Sequence, residues 1–251
     1  IDTVSTKLEY KEQRSNPEDL AGYQFYISTQ TSDEPIHLLW MLEETYQFNA
    51  DYLLAQTIDK GIVTRYNDPD SIYTCWRSTT VHQLFTEQTT GLSAHKLTQK
   101  PLHFVGNKKK KLQNKYSLLV KQYSLNEAAY RYWSQLEEQA DIEEFLFSKQ
   151  PYQLKGNVYN PENMDELVLG YFNVASLSEK RIFVNPPNVP LTFKKCAINW
   201  DTSFAGIISQ RKIVYMIYLN EEDQYGIVEE NCIDCRLEGG TTEKPEFWPD
   251  S

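Results

Sequence analysis

Alternating apolar and polar residues occur in several segments of this chain, and a period of two residues is typical of β-strands with one buried face. The alternation is clearest in three segments, GYQFYIST (22–29), HLLWMLEETYQF (37–48) and KYSLLVKQYSL (115–125). Two shorter strands are predicted at SIYTCWRST (71–79) and VHQLFTE (81–87), and two later ones at 166–184 and 211–219. The pattern therefore predicts a chain rich in strands.

One segment, residues 124–147, has a different period. Its apolar residues recur every three or four positions, which is typical of one face of a helix, and they are Leu125, Ala128, Ala129, Tyr132, Trp133 and Leu136. Ser124 followed by Glu127 has the spacing of a capping box, which predicts where the helix begins. Pro151 is expected to end the helical segment.

The order of strands, one helix and further strands predicts a mainly β fold, a fibronectin-III or immunoglobulin-like β-sandwich with one long amphipathic helix and extra C-terminal strands. Trp40 is expected between the two sheets, and Tyr116 has the position of a corner tyrosine at the start of a strand. We expect one β-rich domain over residues 1–251. Its possible sub-structure is sandwich strands in 1–123, the helix in 124–150, and completing strands with a cysteine-containing tail in 151–251.

Composition narrows the functional classes. The 251 residues are 40% hydrophobic and 13% aromatic, as in a globular protein, and the net charge of −10 argues against a nucleic-acid partner. The basic run NKKKKLQNK (107–115) is the exception. It indicates either an anionic partner or a solvated hairpin loop that protects the next strand from edge pairing, and the second interpretation is favoured.

The chain has neither G-x-S-x-G nor H-E-x-x-H, and its four histidines have no paired carboxylate or nucleophile nearby in sequence. The acidic clusters at 68–70, 162–166 and 221–223 lack the alternating oxygen ligands of an EF-hand loop. We therefore predict no catalytic residue, no metal site and no cofactor. A hydrolytic site assembled only in space, acting on peptide or glycan, remains the alternative.

The four cysteines Cys75, Cys196, Cys232 and Cys235 fit disulfides best, with free thiols and a metal site as alternatives. Cys232 and Cys235 have the spacing of a zinc half-site, but no second pair accompanies them. We expect Cys196 and Cys75 to be their partners, although four cysteines permit three pairings.

The chain resembles the Bacteroidota lipoproteins that carry DUF4249, a domain of unknown function. The segments that carry the resemblance extend from about Ile1 to Trp248, and they are IHLLWMLEETYQF, YTCWRSTT, KYSLLVKQYSLNEAAYRYWSQLEEQ, LKGNVYNPENMDELVLGYFNVASLSEKRIFV and CIDCRLEGGTTEKPEFW. The resemblance implies an exported protein of the outer membrane, on the cell surface or the periplasmic face. An oxidising compartment would make the terminal cysteines a staple, with Phe247 and Trp248 folded back against the sandwich after the turn at 239–240.

Members of that family are expected to have a lipobox cysteine and an additional small sandwich domain. The opening at Ile1 shows neither, so we expect this sequence to be the C-terminal part, with membrane association only through a lipid anchor absent from it. The resemblance implies no catalytic residues.

We therefore expect a non-catalytic accessory or binding protein of the cell envelope, with a TonB-dependent receptor or another outer-membrane protein as its partner in nutrient capture and an unknown ligand. A structural subunit of an outer-membrane complex is the alternative. The contact residues are expected among tyrosines in loops, at Tyr66, Tyr73, Tyr152 and Tyr159.

Overall fold

The computed structural model describes residues 5–11, 21–30, 36–92, 95–142, 153–188, 193–203, 207, 212–219 and 224–250. Its strands are β1 Ser5–Lys11, β2 Gly22–Gln30, β3 His37–Asn49, β4 Gln56–Asp59, β5 Ile62–Arg65, β6 Thr74–Gln88, β7 Lys96–Gly106, β8 Tyr116–Leu125, β9 Ser176–Val184, β10 Val214–Leu219 and β11 Gln224–Val228. The α-helix, α1, is Glu127–Ile142. No described helix has the length and apolar character that a membrane span requires.

The strands form three antiparallel sheets. Sheet A has the order β1-β2-β7, and sheet B has the order β6-β3-β8-β9. When the strands of the third sheet are left out, the remaining strands alternate between the two sheets in a simple order along the chain. The first, second and fifth (β1, β2 and β7) form sheet A, and the third, fourth, sixth and seventh (β3, β6, β8 and β9) form sheet B. Three strands facing four in this order form a fibronectin-III-like sandwich, which confirms the predicted fold class.

A third sheet, sheet C, has the order β11-β10-β4-β5. It joins the β4–β5 hairpin, which is inserted between two strands of sheet B, to the C-terminal hairpin β10–β11. The extra C-terminal strands are therefore present, and their partner is this inserted hairpin.

The main core lies between sheets A and B. Trp40 is fully buried there with Phe25 and Tyr116, and its Nε1 donates a 2.8 Å hydrogen bond to Oε1 of Gln122. The even-numbered residues of β8 from Tyr116 to Gln122 are all buried, as the period of two predicts. Trp40 is thus the central sandwich tryptophan that the sequence predicts.

Tyr116 differs from a corner tyrosine. It opens β8 and is fully buried, but its hydroxyl donates a 3.0 Å hydrogen bond to the Glu44 carboxylate. The hydroxyl of a tyrosine corner binds the backbone a few residues upstream. The corner interpretation was therefore wrong, because a buried carboxylate supplies the acceptor.

Helix α1 lies between β8 and β9 in the chain and covers one end of the outer face of sheet B. Ala129 is fully buried there against Leu39 and Leu125, and Trp133 packs against the same cluster. Tyr130 belongs to this face, whereas Ala128 is exposed. The predicted helix is confirmed for its described part, and residues 143–147 lie outside the described residues.

The predicted capping box was wrong by two residues. Ser124 is still in β8, paired with Ser176 of β9. The side chain of Asn126 instead accepts a 2.8 Å hydrogen bond from the backbone N–H of Ala129, as an N-cap residue does. The helix begins after Asn126 because strand pairing holds Ser124 in an extended conformation.

Two strand predictions also change. The predicted strand 71–79 begins at Thr74, because Pro69–Ile72 form a 3-10 helix, and it is one strand, β6, with the predicted strand 81–87. β6 has a bulge between the pairs Trp40–Phe85 and Leu42–Val81. The bulge breaks the period of two, so one strand has the sequence pattern of two. In the predicted strand 166–184, only β9 is regular, and residues 166–175 form no helix or strand.

Candidate functional sites

All four cysteines are paired in disulfides. Cys75 of β6 is bonded to Cys235, with a Cα–Cα distance of 5.7 Å, and Cys196 is bonded to Cys232, at 5.9 Å. Cys75 and Cys196 are therefore the partners of the two tail cysteines, as expected, and the structure shows which of the two bonds to which, a choice that the sequence left open. Cys75 and Cys235 are fully buried in the core between sheets A and B, so the C-terminal tail is stapled to the sandwich.

The tail turns immediately after this staple. Gly239 adopts φ +83°, a conformation that favours glycine, and a Cβ on Gly240 would lie 2.6 Å from Cβ of Cys75. Thr241 then forms a two-bond antiparallel bridge with Trp76 of β6. The turn predicted at 239–240 is therefore required by this close backbone approach.

Trp248 and Phe247, near the end of the tail, differ in how far they are buried. Trp248 is 5% exposed and meets the Phe183 ring of β9 edge-on, with centroids 5.6 Å apart. Phe247 is 41% exposed, under the guanidinium of Arg181. The predicted return of the tail is confirmed for Trp248, whereas Phe247 stays at the surface.

A carboxylate, Glu44, is buried on the inner face of sheet B. Its oxygens accept 3.0 Å hydrogen bonds from the hydroxyls of Thr79 and Tyr116. The carboxylate also forms an ion pair with Lys111. Nε2 of His103 lies 3.6 Å away, just beyond hydrogen-bond distance. Burial alone would raise the pKa of Glu44, but the contacts with His103, Lys111 and Thr79 outweigh burial and lower it to about 2.

The basic run 107–115 is held in place by ion pairs. Lys110 lies 2.8 Å from Asp51 and 2.5 Å from Glu238, and Lys111 is paired with Glu44. Leu112, in the same turn, is 1% exposed. The solvated-loop interpretation was therefore wrong. The strand that follows, β8, lies inside sheet B, so it has no free edge to protect.

A cleft opens beside this run, at the end of β3 where Tyr46 and Phe48 lie. We call it the cationic cleft; its volume is about 310 Å³. Its basic lining combines 108–111 with Arg77 of β6 and Lys194, and Phe193 is its third aromatic residue. Sequence reasoning identified the lysine run but missed Arg77 and Lys194, which are distant in the chain.

The predicted contact tyrosines lie in separate segments. Tyr159 is 60% exposed and Tyr66 is 36% exposed, so both reach solvent. Tyr73 packs partly against the sandwich core, and Tyr152 lies outside the described residues.

Residues 158–177, which we call the contact segment, have more exposed apolar side chains than the segments around these tyrosines. It holds eight of the twenty exposed large hydrophobic side chains in the described part of the chain, namely Val158, Tyr159, Met164, Leu167, Leu169, Phe172, Val174 and Leu177. Sequence reasoning assigned its second half to a strand. Alternating apolar residues predict a buried face, but here those side chains point to solvent.

One contact joins this segment to α1, and a pair of hydrogen bonds joins Phe172 to the residue that precedes the segment. The Tyr171 ring stacks on Tyr132 of α1 with centroids 4.8 Å apart. The Asn157 side chain accepts a 2.7 Å hydrogen bond from the N–H of Phe172 and donates a 2.6 Å bond to its carbonyl. The backbone around Tyr171 and Phe172 is therefore anchored at these two residues.

The acidic clusters 68–70 and 162–166 lie among the described residues, and 221–223 lies outside them. Within the described ranges, no group of three or more His, Cys, Asp or Glu side chains is placed to hold a metal ion.

Comparison with known proteins identifies the family but supplies no activity. The family model of the domain of unknown function DUF4249 matches residues 1–181. No curated protein matches the chain, and no solved structure matches it. The match spans most of the 251 residues, including β1 to β8 and α1. The chain therefore belongs to the DUF4249 family.

Proposed function

We propose that this protein is a non-catalytic binding module of the cell envelope, and that its contact segment docks on an outer-membrane partner protein, a TonB-dependent receptor. The full-length protein is then a lipid-anchored outer-membrane protein of Bacteroidota that helps the receptor capture a nutrient. The observation that carries the proposal is the run of eight exposed apolar side chains along residues 158–177. Exposed apolar surface beyond scattered single residues is typical of an interaction site.

The disulfides support a location in the envelope. Both bonds involve cysteines of the buried core, and one closes a sequence separation of 160 residues. Disulfides persist in oxidising compartments such as the bacterial periplasm and the cell surface, and they are rare in the reducing cytosol.

The geometry of the contact segment suits a protein partner. Phe172 is 72% exposed and Val174 is 84% exposed, yet the backbone of Phe172 is bonded to Asn157. Because this backbone is already ordered, docking costs little conformational entropy there. Acidic residues of 162–166 adjoin the apolar ones, as in the polar rim of an interface. Tyr159 belongs to the same surface, and Tyr66 is a second contact point.

The test is co-purification from native outer membranes with the full-length, lipid-anchored protein as bait. The triple variant Leu169→Ser, Phe172→Ser, Val174→Ser removes exposed apolar area and leaves the Asn157 backbone bonds possible. The matched control is Ile62→Ser, Val63→Ser, whose side chains are 69% and 56% exposed in β5. All variants should retain the wild-type melting temperature.

We expect a TonB-dependent receptor to co-purify with the wild type and with the control, and to be lost from the triple variant. Equal recovery of the receptor with the triple variant would reject the contact segment as the docking surface. Recovery of a stable complex without any receptor would favour the structural-subunit alternative.

A further inference from the structure

We propose that the cationic cleft binds a small ligand that carries a polyvalent oxyanion, a phosphate or a polycarboxylate. This inference stands apart from the proposed docking of the contact segment. Tyr46 and Phe48 of the cleft lie near the end of β3, whereas the contact segment reaches the cluster around Leu39 through Tyr171. Seven to nine residues of strand separate them, about 23–30 Å at 3.3 Å per residue.

The charge balance of the cleft carries the proposal. Its lining includes six cationic side chains, which are Arg77, Lys108, Lys109, Lys110, Lys111 and Lys194. Three carboxylates face them, because Glu238 lines the cleft and Lys110 and Lys111 are paired with Asp51 and Glu44. With Lys108 left out of the count, five cations against three described carboxylates leave two positive charges in excess, in a chain whose net charge is −10. Such a local reversal of sign attracts an anion to this place on the surface.

The lysines divide into two roles. Lys110 and Lys111 are half-buried and form ion pairs, so they fix the shape of the turn. Lys109 and Lys194 are exposed, and neither has an ion-pair partner among the described residues. These two lysines are therefore the ones whose charge is available to a ligand.

Arg77 adds a hydrogen-bond donor whose position is fixed by a bond to the backbone. Its Nη1 donates a 3.0 Å hydrogen bond to the carbonyl of Glu238, which sets the guanidinium at the rim of the cleft. A guanidinium presents several N–H donors in a fixed plane, and this geometry matches the oxygens of phosphate and carboxylate.

The floor of the cleft is aromatic. Tyr46 is 8% exposed and Phe48 is 2% exposed, and Phe193 forms part of the wall. Apolar walls of low dielectric strengthen the attraction between the lysines and an anion. A volume of about 310 Å³ is at the small end of ligand sites, so it fits a small molecule or the charged end of a larger one.

Isothermal titration calorimetry at low ionic strength tests the site, with inorganic pyrophosphate and citrate as the two probes. The test variant is Lys109→Gln, Lys194→Gln, which removes two available charges and no described ion pair. The matched control is Lys96→Gln, Lys155→Gln, which changes the net charge equally with two exposed lysines outside the cleft. Circular dichroism verifies that both variants are folded.

We expect at least one probe to bind the wild type, with affinity that falls as salt is added. The test variant should bind about 10-fold more weakly or worse, and the control should stay within about twofold, because unpaired charges in the cleft supply most of the attraction. Binding of pyrophosphate alone would identify a phosphate ligand, and binding of citrate alone a polycarboxylate. No binding of either probe, or equal weakening in both double variants, would overturn the proposal.

Discussion

The hydroxyl of Tyr116 donates a 3.0 Å hydrogen bond to the Glu44 carboxylate inside the sandwich core. Burial, and then the neighbouring Glu44 charge, raises the pKa of Tyr116 well above its ordinary value, so the tyrosine stays a donor. Glu44 in turn holds Lys111, whose side chain also lines the cationic cleft. A buried hydrogen-bonded carboxylate thus connects the core of the sandwich to the candidate ligand site.

This network predicts how stability depends on pH. The pKa of Glu44 is lowered from 4.5 to about 2 in the folded protein, so the carboxylate contributes stability above pH 4.5. That contribution, about 3 kcal/mol, should be lost as the pH falls from about 5 to about 2. Urea unfolding of the wild type and Glu44→Gln across this range measures it, and the variant should show the shallower pH dependence.

Glu44→Gln should also cost about 2–4 kcal/mol of unfolding free energy at pH 7, because it leaves Lys111 without its partner charge. The double variant Glu44→Gln, Lys111→Met removes both charges and should recover part of that loss. Identical pH slopes in the wild type and Glu44→Gln would contradict the assigned pKa.

The start of α1 gives a second prediction. Replacing Asn126 with Ala should destabilise the protein by about 1 kcal/mol, because the N–H of Ala129 loses its capping acceptor. Ser124→Ala should cost less, since the Ser124 hydroxyl is buried without a hydrogen-bond partner among the described residues. Chemical denaturation of the two variants compares them. A larger loss for Ser124→Ala would restore the capping box that the sequence suggested.

The predictable part of the fold is the part where local pattern and burial agree. β3 and β8 lie inside sheet B, and their alternate residues, Trp40 among them, fill the core. β7 is different, because it contains Pro101, a positive φ at Gln99 and shifts in its register with β2. Such irregularities interrupt the period of two, so that strand has no clear sequence signal.

The candidate sites depend on relationships that one sequence does not display. The lysine run is visible, but Arg77 and Lys194 reach the cleft only after the sheets and the tail have packed. In the contact segment the sequence pattern is visible, but the burial that it predicts is absent. Leu167 and Leu169 alternate with other residues as in a strand, yet both are exposed because no described sheet pairs with them. Periodicity reports which side chains share a face and not what covers that face.

The two disulfides should contribute unequally to stability. The Cys75–Cys235 bond spans 160 residues and the Cys196–Cys232 bond spans 36. In the chain-entropy description, loops of these lengths stabilise by about 5 and about 4 kcal/mol. Paired Cys→Ala variants should therefore both lower the melting temperature, with the larger drop for Cys75 and Cys235. A thiol count under denaturing conditions without reductant should give zero in the wild type, and four titratable thiols would refute the pairing.

The tail offers a matched pair of neighbouring aromatic residues in different surroundings. Trp248 is 5% exposed against Phe183, so Trp248→Ala should cost about 3 kcal/mol or more through lost burial and the cavity left behind. Phe247 is 41% exposed and contacts the Arg181 guanidinium, so Phe247→Ala should cost about 1 kcal/mol. Urea denaturation measures both, and Trp248→Phe should recover much of the loss because a ring again fills the site. Equal costs for the two alanine variants would show that the tail does not clasp the sandwich through Trp248.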